Sequence, residues 1–218
     1  MRNKEKDAAE MTIKRQKMLE EGFRLFSEKS IEMVSMSDVA KACGFGRITL
    51  YRYFNSKLEL VIAVGVWAWE KYISENVTRF SEMPIDNLTA MQLFEMRLDY
   101  FIDMYRNHAD LLRFNQFFNI YVKSEHANEK DLAPYLEVIR KISGNFHIIY
   151  QKALQDGTLR TDIPEQKMFT GALHIMLAAV TRYAVGLVYT PESGTDEVDE
   201  LIQLKRMLLR EYTSEQCL

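Results

Sequence analysis

At 218 residues, 47% of them apolar, the chain can bury a sizeable core in one or two domains, and 9 glycines and 4 prolines are too few for the turns of a sandwich or barrel. An all-α fold is the expectation. The net charge of −3 excludes a protein that coats nucleic acid indiscriminately, yet residues 1–60 hold 12 Lys/Arg against 9 Asp/Glu while the remainder holds 16 against 22, the balance of a basic head on an acidic body.

In chain order, residues 1–11 are polar and aperiodic and read as a mobile arm. From Thr12 to Glu28 the apolar Leu19, Phe23 and Phe26 recur at helical spacing. Ser35 then stands as N-cap to MSDVAKACG, with Asp38 three residues on, and Gly44 ends that short helix. A third short helix is predicted over Arg47 to Phe54, and Asn55 or Ser56 caps a fourth that runs toward residue 80.

After MPIDN at 83–87, Met91, Phe94, Leu98, Phe101 and Tyr105 form one apolar stripe on a helix to about Arg106. Further helices are predicted at about 108–124, from Pro134 at an N1 position to Gly157, and from Pro164 with a stripe through Phe169, Leu173, Met176, Val180, Tyr183 and Leu187. The last, about 196–213, follows the loop TPESGTD. The total is about nine helices. No apolar run approaches the ~20 residues of a bilayer span, the longest being 61–69, and the charged start MRNKEKDAAE lacks a signal-peptide core. Cys43 and Cys217 have neither zinc spacing nor disulfide density. A cytoplasmic protein away from membranes is expected, with Cys43 as a small buried apolar residue.

The informative stretch is SMSDVAKACGFGRITLYRYFNSK, residues 35–57, where two short helices flank a glycine turn and basic and aromatic residues crowd together. That is the layout of a helix-turn-helix. Val39, Ala40 and Phe45 would pack the pair, Gly44 would take a backbone conformation that side chains disfavour, and the third helix would enter the major groove. Ser35, Asp38, Val39, Ala40, Gly44, Thr49, Leu50, Tyr51, Tyr53, Phe54, Ser56 and Lys57, with Leu25-Phe26 upstream, resemble the head of the tetracycline-repressor-like (TetR) family over roughly residues 15–60.

The resemblance implies that residues 1–57 form the arm and DNA-binding head and residues 58–218 an effector-binding and dimerisation body. It assigns Ser35, Thr49, Tyr51, Tyr53 and Lys57 to phosphates and puts Arg47 in reach of a base edge, where an arginine can fork onto guanine. Arg52 joins this set; for both arginines the other reading is a solvated surface charge. Lys57 is otherwise an exposed residue in a helix first turn, Tyr53 and Phe54 alternatively pack beneath the fourth helix, and Leu50 reads as core. The chain departs from the family pattern at Ser30, where glycine commonly closes the first helix, at Gly46, where serine or threonine often caps the recognition helix, and at Ile48, which replaces a small residue. Gly46 and Ile48 lie at the point of groove entry, and a branched side chain there can meet a thymine methyl.

In the body, residues 91–121 hold eight of the 25 aromatics, and Met96, Tyr100 and Met104 make a second row beside the stripe. A helix apolar on two faces is buried on both or borders a cavity. The family resemblance implies a ligand site there, lined by Met96, Tyr100, Met104, Phe117, Tyr121, Phe146, Tyr150 and His174; ordinary core packing is the competing reading for each. It implies also a palindromic operator, a small apolar or amphipathic effector, no cofactor, and a homodimer through the last two helices. An effector-free adaptor of the same fold is the alternative function. A helical-bundle enzyme lacks support, because His108, His126, His147 and His174 lie on separate segments without a Glu-x-x-His pair, and no phosphate loop, nucleophile elbow or metal motif occurs.

Overall fold

A computed structural model describes residues 4–81, 87–143, 145–186 and 196–214. These form α1 (Lys4–Lys29), α2 (Met36–Ala42), α3 (Arg47–Tyr51), α4 (Lys57–Ser81), α5 (Ala90–Asn107), α6 (Ala109–Ser124), α7 (Glu129–Ser143), α8 (Asn145–Asp156), α9 (Glu165–Val185) and α10 (Glu197–Tyr212). The fold is all-α; the β structure among the described residues is an isolated bridge, Leu159 with Thr213. Leu187 of the predicted stripe and most of MPIDN lie outside the described residues.

Two boundaries differ from the sequence reading. Residues 4–11 are helical and continue into α1 without a break. KEKDAAE is rich in good helix formers, and Lys14 pairs with Glu10 one turn away, so polarity there marks a solvated helix face and not an arm. The stretch from 134 to 157 is part of two helices, α7 and α8, so the described residues hold ten. Pro134 lies inside α7. The start is set by Asn128, whose Oδ1 accepts from Lys130 N at 2.9 Å and Asp131 N at 3.1 Å, while its own N–H donates to Asp131 at 3.3 Å.

The chain packs as two compact units. One gathers α1 to α3, most of α4, and residues 113–139 of α6 and α7. In it Phe23 meets Trp67 edge-on at 5.8 Å and Phe114 at 5.5 Å, Phe114 leads to Phe118, and Phe118 stacks on Tyr135 at 4.2 Å. Gly65 admits that stack, since a Cβ there would lie 3.1 Å from the Tyr135 ring and 3.3 Å from Phe118. The Tyr135 hydroxyl donates to Asn115 Oδ1 at 2.8 Å and accepts from Trp69 Nε1 at 3.2 Å, which satisfies three buried polar groups at once.

The other unit is built on α5, with α8, α9 and α10 packed against it. Phe94 meets Phe169 at 5.9 Å and Tyr212 at 5.7 Å, both edge-on. Lys205 on α10 reaches Asp99 at 2.8 Å and Glu95 at 3.1 Å on α5. Thr89 and Gln92 make a capping box at the start of α5, and Ala90 N donates to Asp156 at the end of α8, 2.7 Å away.

Candidate nucleic-acid interface

The head is closed by local hydrogen bonds that its sequence encodes. Ser35 Oγ accepts from Asp38 N at 3.2 Å, and Asp38 Oδ2 accepts from Ser35 N at 2.8 Å and from the Ser35 hydroxyl at 2.6 Å, a complete capping box on α2. These bonds favour the carboxylate and hold the Asp38 acid below its usual range. At the far end Gly44 takes φ +72°, and the amides of Gly44 and Phe45 donate to Lys41 O at 3.0 Å and Ala40 O at 2.8 Å. No atom would crowd a Cβ at Gly44, so the glycine is there for its backbone angle.

The turn delivers α3 with one side inward. Val39, Ala40, Leu50 and Phe54 are buried and Phe45 is half-buried beneath Lys17. Cys43 is buried as expected, its thiol pushed up to about 11 by desolvation. The opposite side carries the residues singled out for DNA. Gly46, Arg47, Ile48, Tyr51 and Arg52 are exposed, Thr49 and Tyr53 half-buried. Ile48, at 81% exposure, is the most exposed of the large apolar side chains described. The Arg47 guanidinium lies 5.3 Å from the Tyr51 ring centroid, with Nη2 3.4 Å from its hydroxyl. Nothing buries that arginine.

Two residues of the set are engaged within the chain. The Ser35 hydroxyl proton and amide both go to Asp38, so its observed work is capping. Lys57 is half-buried, its Nζ 5.0 Å above the Tyr121 ring and 3.5 Å from Glu32 O. Burial pushes the Lys57 ammonium down, against the pull of Glu32, Glu125 and Asp38. The same enclosure, with Glu125 nearby, raises the Tyr121 phenol to about 12.

The eight residues expected to line a ligand site fall into both units. Phe117 and Tyr121 belong to the first, half-buried and buried respectively. In the second, Met104 is buried and Met96 and Tyr100 half-buried on α5. Phe146 packs 4.6 Å from Phe169, with the Arg97 guanidinium 4.6 Å over its ring. Tyr150 donates its hydroxyl to Ile163 O at 2.8 Å, and His174 is exposed on α9. Ser35 caps α2 as its sequence position predicts, whereas sequence reasoning missed the structural duty of Tyr150. The Ser-x-x-Asp spacing signals the first; no local pattern signals the second.

The sequence model of the bacterial regulatory proteins of the tetR family matches residues 18–64, the span of α1 to early α4 that builds this head. Over those residues the chain carries the tetR-family head. An HTH-type transcriptional regulator of Staphylococcus aureus strain MRSA252 is 32% identical over 108 residues, half of this chain and 55% of that one. The chain thus spans about half the length of the curated relatives it matches. Solved tetR-like structures extend the likeness of fold to nearly the whole chain. The transcriptional regulator FadR from Bacillus subtilis in complex with stearoyl-CoA superposes with a TM-score of 0.66 at 15% identity, over 89% of this chain and 97% of that one. AibR in complex with isovaleryl coenzyme A and operator DNA gives 0.65 at 16%, over 90% and 98%.

Proposed function

We propose that this tetR-family regulator is a ligand-responsive repressor that binds a palindromic operator as a homodimer, with residues 1–57 as its DNA-binding head. The observation that carries the reading is the outward face of α3. Arg47, Ile48 and Arg52 are held in solvent at a helix whose other side, Leu50, is fully buried, preceded by the capped α2 and the Gly44 turn. Arg47 reads a guanine edge and Ile48 a thymine methyl. Thr49, Tyr51, Tyr53 and Lys57 hold phosphates, Gly46 lets the backbone approach them, and Ser35 contributes chiefly by fixing α2. AibR, with operator DNA, supports a DNA-bound state for this fold.

For the body, residues 58–218, we place the homodimer contact on α9 and α10. α9 is long and apolar enough to cross a bilayer, and its most apolar stretch is only 28% buried. Ile175 and Val185 on α9 and Met207 on α10 stand 44%, 45% and 59% exposed. A second copy would cover them, and two joined heads read half-sites about one DNA turn apart. The effector is an apolar or amphipathic molecule held among Met96, Tyr100, Met104, Phe146, Tyr150 and His174, and the stearoyl-CoA and isovaleryl coenzyme A of the two solved neighbours favour acyl chemistry. Its binding shifts the body toward a state whose heads no longer match operator spacing.

Selection of bound DNA from a random library, with the wild type and with Arg47→Ala, tests the reading. An enriched palindrome is expected, with preference relaxed at one position per half-site in the variant and about 1–3 kcal/mol of discrimination lost there. No enrichment at low salt would overturn it. Acyl-CoA thioesters should release the selected operator.

A further inference from the structure

Within the first unit, α1, the first half of α4 and the start of α7 enclose a cleft of about 560 Å³, a volume in the range of small-molecule sites. Its floor is apolar. Leu19 and Ile62 are buried there, and Val66 and Trp67 are half-buried. Its rim is acidic, with Glu59, Glu70 and Asp131 against a single cation, Arg15.

The Arg15 guanidinium carbon lies 5.5 Å over the Phe54 ring, and its one charge leaves the three-carboxylate rim net negative. Glu59 is occupied by Asn55, whose amide and side-chain nitrogens donate to it at 2.8 and 3.0 Å. Glu70 and Asp131 form no ion pair with a described residue, and both are exposed, Asp131 accepting one hydrogen bond from Asn128 N at 3.3 Å. Trp67 already shows what its ring accepts: Lys71 Nζ sits 5.5 Å from the centroid.

We propose that this cleft binds an organic cation with an apolar body, the body on Leu19, Ile62 and Val66, the charge between Trp67 and the carboxylates of Glu70 and Asp131. An anion of the same shape would meet three carboxylates against Arg15, the one cation among the lining residues, with Lys71 beside Trp67 outside that lining. The site shares no residue with the effector site assigned above, so either can fail without the other.

The chain has two tryptophans, and Trp69 is buried and hydrogen-bonded to Tyr135, so fluorescence separates them. The full-length protein is titrated with tetraphenylphosphonium, and affinity is measured in parallel by calorimetry. A saturable fluorescence change is expected, absent in Trp67→Phe. The double variant Glu70→Gln/Asp131→Asn should bind about five- to tenfold more weakly while keeping its melting temperature, since Glu70 lies in solvent and an amide oxygen at position 131 still accepts from Asn128 N. Tetraphenylborate, matched in shape and opposite in charge, should bind at least about tenfold more weakly than the phosphonium. Binding of the borate as tight as the phosphonium, unchanged affinity in the double variant, binding lost in Tyr100→Ala, or no binding at all would each overturn the proposal.

Discussion

Ser30 adopts φ +68° just past the end of α1, the left-handed conformation in which glycine usually closes a helix and which costs a side chain roughly 1–2 kcal/mol. Ser30→Gly should therefore stabilise the protein by about 0.5–1 kcal/mol once the extra backbone entropy of glycine is counted. A higher urea midpoint with an unchanged slope would show it. Tyr135 carries a second residue-scale consequence. Burial pushes its phenol up to about 12, so in alkali the unfolded chain loses this proton first, near 10. The folded state binds the extra proton between those values. The stability Tyr135 contributes is complete below pH 10 and falls by about 2–3 kcal/mol as pH climbs to 12. Melting followed by circular dichroism from pH 9 to 12 should decline less steeply in Tyr135→Phe than in the wild type.

At the scale of elements, short helices depend on their ends. With seven residues, α2 lies far below the length at which a helix persists unaided, so its capping box and the Gly44 turn decide whether the head forms. Ser35→Ala should lower stability by about 1 kcal/mol, seen as a lower melting temperature of the free protein. Thr49→Ala, on the exposed side of the five-residue α3, should leave the melting temperature nearly unchanged and weaken operator binding at all sequences alike, with the salt slope reduced by about one. Opposite assignments for the two variants would exchange their roles. The helix ends also show where sequence patterns are legible. Ser35-x-x-Asp38, Thr89-x-x-Gln92 and Asn128-x-x-Asp131 all mark true starts, while Pro134 marks none. A helix already propagating through its first turn tolerates the one hydrogen bond that proline removes, so the cap and not the proline sets the boundary.

For the molecule as a whole, the outward apolar side chains of α9 and α10 bear on assembly. Ile175→Asp combined with Met207→Asp should convert a species of twice 25.6 kDa into one of 25.6 kDa in sedimentation, and operator affinity should fall at least about tenfold while far-ultraviolet dichroism stays unchanged. A wild type that sediments as a monomer at micromolar concentration would remove the basis for a palindromic operator. Periodicity alone places Leu173, Met176 and Val180 on one stripe, and the structure sorts them further: Met176 and Val180 are buried, Leu173 only half. The helical class, the glycine turn, the caps of the head and the inward Leu50 and Phe54 were legible in the order of residues, because each is settled by partners within about four positions. Which aromatic meets which was not. Trp69 bonds Tyr135 across 66 positions, Lys57 comes to rest over Tyr121, and the acidic cleft joins residues from 15 to 134. Such contacts depend on how helices distant in the chain pack together, and helical periodicity says which face is apolar but not what that face will touch.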